Sequence, residues 1–198
     1  MRLPNDELTN SAVKEILNLG GANAAMSLSK LIKKPVRMDV PTLELMEYEK
    51  VYEEIIADDK EVKVVIMSLI GEDGAFLYVI KPENADELAR LMYTNEVFID
   101  EFLINSAIEE LGNILINSFL NAVMRVLDLN LITSVPFLRQ DYFGSILSSV
   151  YLEEGIFDSS IFIMHNEFWS EDEKVDGSLF FIPTENLMNN LMLNLNKF

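Results

Sequence analysis

The same polar signature occurs twice in this chain of 198 residues, at an offset of 95 residues. It reads Ser-x3-Glu-x2-Asn-x22-Pro, and its two copies are Ser11, Glu15, Asn18 and Pro41, and Ser106, Glu110, Asn113 and Pro136. An internal repeat indicates that related units build the fold. No Gly/Ser/Pro-rich spacer separates them, so we predict one domain over residues 1–198, with internal repeats at about 6–93 and 98–196.

Hydrophobic periodicity and turn residues predict a similar order of elements in each half. Each half begins with a long helix, at residues 6–34 and 98–127. The other predicted elements are strands at 36–40, 46–56, 62–70, 75–80, 131–135, 160–167 and 178–182, and helices at 83–93, 142–152 and 185–195. The acidic segment Ser170 to Asp176 is interpreted as a hairpin loop. Because hairpins pair antiparallel, the predicted class is α+β: a pseudo-twofold domain with a largely antiparallel sheet of about six strands and both long helices on one side.

The signature residues lie on one face of each long helix, because positions three, four and seven apart are neighbours there. In the first helix, Ser11, Glu15 and Asn18 lie opposite the apolar Ile16 and Leu17. A carboxylate can pair with a cation of a partner, and a carboxamide one turn away can hold a water molecule. Polar stripes on amphipathic helices are mostly solvated faces, and that alternative stays open. Against it, asparagine costs a helix about 0.5 kcal/mol relative to alanine, and the spacing recurs with its distant proline.

The composition of the chain excludes several classes of function. Acidic residues number 33 and basic residues 15, so the formal net charge of −18 makes duplex nucleic acid and anionic lipid poor partners. The sequence has no cysteine, and its single histidine, His165, is better explained as a satisfied or surface side chain than as a catalytic one. Polar residues interrupt the most apolar long stretch, residues 114–132, and no targeting signal is evident. We therefore predict no membrane insertion and a cytoplasmic location.

The two signatures and their surroundings resemble the CheC/CheX/FliY family of bacterial and archaeal chemotaxis phosphatases. Residues 18–29, NLGGANAAMSLS, are similar to the first motif of the family, and residues 112–122, GNILINSFLNA, are similar to its second. The resemblance extends over essentially the whole chain. CheX-type proteins generally keep the motif in one half, and FliY-type proteins carry an additional flagellar-switch domain. Two copies in one chain of this length are therefore most similar to the CheC type.

The resemblance implies hydrolysis of the aspartyl-phosphate of the response regulator CheY, by insertion of a motif helix into the phosphorylation site. The implied site residues are the catalytic Glu15, Asn18, Glu110 and Asn113, with Ser11 and Ser106 as partner contacts. The glutamates would engage the active-site lysine of the regulator, and the asparagines would position the attacking water. No cofactor or metal of the chain's own is implied, because a Mg²⁺ ion would be held by the acidic residues of the regulator.

Two other functions remain open from the sequence. The chain could be an adaptor that binds phosphorylated CheY, or that regulates the receptor deamidase CheD, which members of the family also bind. It could also be a flagellar-switch module that recruits the regulator without hydrolysing it. The copies themselves differ, since Lys14 and Leu17 of the first correspond to Glu109 and Gly112 of the second. The sequence therefore predicts two sites of unequal activity.

Overall fold

The structure is a computed structural model that describes residues 7–39, 42–71, 74–93, 98–153, 160–170 and 173–195. In chain order, its elements are α1 (Glu7–Ile32), β1 (Val36–Met38), β2 (Leu43–Glu47), α2 (Tyr48–Glu54), β3 (Glu61–Ser68), β4 (Gly74–Ile80), α3 (Pro82–Met92), α4 (Glu101–Leu127), β5 (Phe137–Tyr142), α5 (Phe143–Glu153), β6 (Ser160–Ser170), β7 (Glu173–Pro183) and α6 (Glu185–Leu195). The predicted α+β class with a largely antiparallel sheet is confirmed.

The strand order shows the symmetry that the sequence repeat predicts. Seven strands form one sheet in the order β1-β6-β7-β4-β3-β5, and β2 also pairs with β6, in agreement with the expected sheet of about six strands. All the pairings are antiparallel. The order is symmetric about its centre between β4 and β7. There β4 corresponds to β7, β3 to β6, and β1 to β5. Each half supplies an edge strand to the hairpin of the other, while the assignment of the whole chain to one domain stays a prediction.

Both faces of the sheet are covered by helices. The side chains of β4 are buried along its whole length. Phe76 and Tyr78 pack in the core shared with α1, α3, α4 and α6, whereas Leu77 and Val79 pack in the core shared with α2 and α5. Burying a large apolar side chain contributes about 1.5–3 kcal/mol relative to leaving it exposed, so the two cores hold the layers together. The two long helices α1 and α4 share one side of the sheet, as predicted.

Helices α1 and α4 pack against each other in an antiparallel arrangement. Gly20 of α1 lies against Phe119 of α4, and a Cβ atom on Gly20 would be 2.7 Å from Cε1 of that ring. About two turns further along α1, Leu28 lines a gap between the helices together with Leu111 of α4. Since the contact moves forward along α1 as it moves backward along α4, the helices run in opposite directions. Glycine at position 20 permits this close approach because it has no side chain.

The strand predicted at residues 46–56 is wrong. Strand β2 ends at Glu47, and the chain then forms the helix α2. Tyr48, Val51, Tyr52 and Ile55 recur at helical spacing, and Val51 is completely buried in the core on the α5 side of the sheet. This periodicity was a usable signal for a helix.

The strand predicted at residues 131–135 is also wrong. Thr133 makes a single bridge to Leu69, and the regular strand β5 begins only after Pro136. Proline has no N–H group to donate to a ladder. Strand β5 lies at the sheet edge on β3, with Leu138 opposite Val65, and its largely exposed sequence shows no alternation of apolar and polar residues. The pattern that predicts strands is therefore missing from it.

The acidic segment predicted as a hairpin loop mostly forms strand instead. Strand β6 continues through Ser170 and β7 begins at Glu173, with Trp169 opposite Lys174. The segment therefore lengthens the second hairpin, and its residues 171–172 lie outside the described part of the chain. Across the described ranges, no helix is long and apolar enough to cross a lipid bilayer.

Candidate functional site

The first motif lies on an exposed face of α1. Ser11, Glu15 and Asn18 are all exposed, while Ala12 and Leu17 on the other side of the helix are buried. Within the described residues, Glu15 and Asn18 make no side-chain hydrogen bond or ion pair. The first carboxylate and amide are therefore open to a docking protein.

The second motif lies on α4, and it is set closer to the sheet. Glu110 is exposed, whereas Ser106 and Asn113 are half-buried. Gly112 lies directly on β3, where a Cβ atom would be 2.7 Å from Cβ of Val65. Because glycine at this position permits close packing of α4 on the sheet, the second motif is less exposed than the first.

The amide of the second motif has a partner on its own helix. Nδ2 of Asn117 donates a hydrogen bond to the Oδ1 atom of Asn113 at 2.8 Å and to its backbone oxygen at 2.9 Å. Asn117 follows Asn113 by four residues, so helical geometry places it on the same polar stripe, but the sequence pattern does not indicate this contact. The equivalent position in the first copy, at the offset of 95 residues, is Ala22, which has no donor.

A buried lysine anchors the start of α4, and sequence reasoning missed it. Lys63 on β3 is only 4% exposed. Its Nζ atom donates hydrogen bonds to Glu101 and, at 2.8 Å, to Oδ1 of Asn105. A buried charge needs such partners. The available signal was a lysine inside the apolar run of residues 62–67.

The two motifs lie at separate levels of the antiparallel helix pair. Along the axis of α1, Asn18 lies before the contact between Gly20 and Phe119, whereas Asn113 of the antiparallel helix α4 lies beyond it. At 1.5 Å per residue, the two amides are roughly 12 Å apart along the helix axes. The arrangement therefore contains two separate Glu–Asn pairs rather than one composite site. Each pair can bind a cationic group of a partner and orient a water molecule.

The described acidic and histidine side chains form no metal site beside the motifs. Among the described residues, no three acidic or histidine side chains converge on a point that could hold a metal ion. His165 lies on β6, where its Nδ1 atom is 3.3 Å from Oγ of Ser178. The contact agrees with the prediction of a satisfied histidine.

A polar cleft of about 540 Å³ lies on the opposite side of the sheet, between α2 and α5. The hydroxyl of Tyr52 donates to that of Tyr48 at 2.6 Å, which in turn lies 3.1 Å from Oγ of Ser148. Burial, followed by the hydrogen bond with Tyr48, raises the pKa of Tyr52 above its ordinary value. None of the predicted site residues lines this cleft.

Comparisons of sequence point to one family. The sequence profile of the CheC-like family matches residues 8–45, a segment that contains the first motif. The CheY-P phosphatase CheC of Bacillus subtilis (strain 168) is 24% identical to this chain over 184 residues, which is 86% of each protein.

Comparisons of structure show a shared fold. FliY of Thermotoga maritima superimposes with a TM-score of 0.73 at 18% identity, over 99% of both chains. The middle domain of FliM from Vibrio alginolyticus gives a TM-score of 0.68 at 10% identity, over 91% of this chain and 99% of that domain. At these identities the likeness concerns the fold alone.

Proposed function

Because this chain belongs to the CheC/CheX/FliY family, we propose that it is a chemotaxis phosphatase that hydrolyses the aspartyl-phosphate of a CheY-type receiver domain. One observation carries the proposal: the glutamates of both motifs are exposed, each with an asparagine one helical turn away on the same stripe. A helix face of this kind can enter the phosphorylation site of a docked protein.

The proposed chemistry asks little of the phosphatase itself. An acyl phosphate is already activated, so positioning a water molecule and matching charge supply most of the catalysis. Asn18 or Asn113 holds the water in line with phosphorus. The water oxygen bonds to phosphorus as the bond to the aspartyl oxygen breaks, which releases the carboxylate and inorganic phosphate. Glu15 or Glu110 pairs with the receiver's lysine, and the receiver's own acidic residues hold Mg²⁺.

Docking has to overcome a net charge of −18, because phosphorylation sites are themselves acidic. Apolar contact near the motif can supply part of the affinity. Phe102 of α4 lies one turn before Ser106, on the same stripe, and is 74% exposed. Exposed aromatic side chains are frequent anchors of protein interfaces. Near the first motif, Lys14 supplies a positive charge beside Glu15.

The proposal is tested by mixing the chain with a phosphorylated CheY-type receiver and Mg²⁺ and following the loss of phosphate. We expect faster decay with the intact chain, and decay at the receiver's own rate with the double variant Asn18→Ala, Asn113→Ala. A matched control replaces Asn23 and Asn121, which are exposed asparagines of the same two helices and belong to neither Glu–Asn pair. The control should keep full activity.

Unchanged decay with the intact chain would refute the phosphatase proposal. If the phosphorylated receiver were then retained on the immobilised chain, the adaptor function would be favoured instead. Binding to CheD stays a prediction, and capture of purified CheD by the immobilised chain would test it.

A further inference from the structure

We infer that Asn117 is a positioning residue of the second motif, which holds the Asn113 carboxamide in one orientation before a receiver docks. The inference rests on the proposed function, since it assigns a role within that reaction. Asn117 itself is not required to touch the substrate. Its effect would pass through Asn113, whose amide would hold the attacking water.

The hydrogen bonds define the orientation of both amides. A backbone carbonyl can only accept, so the atom of Asn117 that lies 2.9 Å from the Asn113 backbone oxygen is the donor Nδ2. The same Nδ2 atom lies 2.8 Å from the side chain of Asn113, which must therefore present its acceptor Oδ1 there. The NH₂ group of Asn113 is left pointing away from Asn117. It is the group that can donate to a water on the exposed side.

Holding this amide before docking has a kinetic consequence. A free asparagine must lose its rotational freedom when it orients the water, whereas Asn113 has already lost much of it. Immobilising one side chain of this kind corresponds to roughly threefold to tenfold in rate. The advantage should appear in kcat, because the docking surface is the same with or without the hydrogen bond.

The first motif provides the natural comparison within the same chain. Ala22 stands where Asn117 stands in the second copy, so Asn18 has no such donor one turn ahead. Asn18 is also exposed, whereas Asn113 and Asn117 are both half-buried. The two copies therefore carry the same amide in a free and in a held form.

The experiment isolates the second motif by working in an Asn18→Ala background. Asn117→Ala removes the donor, and Asn117→Asp keeps the shape of the side chain but replaces the NH₂ group by an acceptor. For both, we expect kcat for a phosphorylated receiver to fall roughly threefold to tenfold while KM stays the same. Asn121→Asp is the matched control, because it places the same charge on the same stripe one turn further along, and it should leave kcat unchanged.

A second arm asks whether the hydrogen bond can be transferred. In an Asn113→Ala background, Ala22→Asn should raise the kcat of the first motif by a similar factor, because Ala22 is exposed and has room for the larger side chain. Nuclear magnetic resonance gives a readout independent of activity: Asn117→Asp should shift the side-chain amide signals of Asn113 in the free protein, whereas Asn121→Asp should not.

The results distinguish this inference from the function on which it rests. If the Asn18→Ala chain hydrolyses the phosphorylated receiver and both Asn117 variants keep its kcat, Asn117 has no positioning role. A fall in kcat that Asn121→Asp reproduces would also overturn the inference, since it would be a general effect of charge on the stripe. If the wild-type chain itself does not accelerate hydrolysis, the proposed function fails first.

Discussion

The two motif helices carry the same polar stripe, yet the fold holds them differently. Helix α4 lies directly on β3 through Gly112, and Lys63 binds its first turns. Helix α1 packs on α4 through Gly20 and carries its asparagine exposed and without a partner among the described residues. Duplication therefore preserved the chemistry of the stripe, while packing decided how firmly each copy is held.

The largest expected effect concerns the anchor of α4. Glu101→Ala should lower the free energy of unfolding by about 1.5–3 kcal/mol, because it removes a charged partner, itself largely exposed, and leaves the buried ammonium of Lys63 with Asn105 as its remaining described partner. Urea denaturation followed by circular dichroism measures the change. The double variant Glu101→Ala, Lys63→Met should recover most of it, since a buried methionine needs no counter-charge. A loss of stability that persists in the double variant would show that the ion pair is not its cause.

The next effect compares the motifs directly. The amide of Asn113, which is held by Asn117, should be the more productive one. Asn113→Ala should therefore lower the total phosphatase rate roughly fourfold to tenfold, whereas Asn18→Ala should lower that rate by about a quarter or less. Steady-state release of phosphate from a phosphorylated receiver measures both variants. Equal losses would mean that the difference in packing has no consequence for the reaction, and a larger loss for Asn18→Ala would reverse the comparison.

The smallest effect lies at the centre of the pseudo-twofold sheet. Tyr78 of β4 and Phe181 of β7 occupy equivalent positions after the glycines at 74 and 177. Within the described part of the chain, the buried hydroxyl of Tyr78 has no hydrogen-bond partner. Tyr78→Phe makes the halves alike, and it should be neutral or stabilise the fold by up to about 1 kcal/mol, as measured by urea denaturation. Clear destabilisation would reveal a partner for this hydroxyl.

The same tyrosine makes the stability of the fold depend on pH. Burial, and secondarily the charge of Asp176, raises the pKa of Tyr78 above its ordinary value of 10. The folded state therefore keeps this proton while the unfolded state loses it. The contribution to stability is complete below pH 10 and declines as the pH rises further. Tyr78→Phe should reduce the slope of stability against pH in that range.

Much of the fold could be predicted from local patterns. The long helices, both hairpins and the helices α3, α5 and α6 follow from apolar periodicity and turn residues that lie close together in the sequence. Helix α2 also carries a helical period, although its residues lie within the strand predicted at 46–56. Strand β5 carried none, because an exposed edge strand is defined by its pairing with β3 rather than by its own pattern.

The polar stripes of the candidate site were also predictable, because helical geometry places residues three and four apart on one face whatever surrounds the helix. Even the bond between Asn113 and Asn117 spans a single turn. The anchoring of α4 was not predictable from local patterns, because Lys63 and Glu101 are 38 residues apart in the chain.

The sequence by itself thus determined two equivalent amphipathic helices and their paired acid and amide groups, since local periodicity specifies them. Only the tertiary structure decided that the helices run antiparallel, that Gly20 and Gly112 lie at close contacts, and that one copy is fixed more firmly than the other. The physical reason is that burial and close packing depend on which distant segments meet, and a pattern read along one segment holds no record of its neighbours.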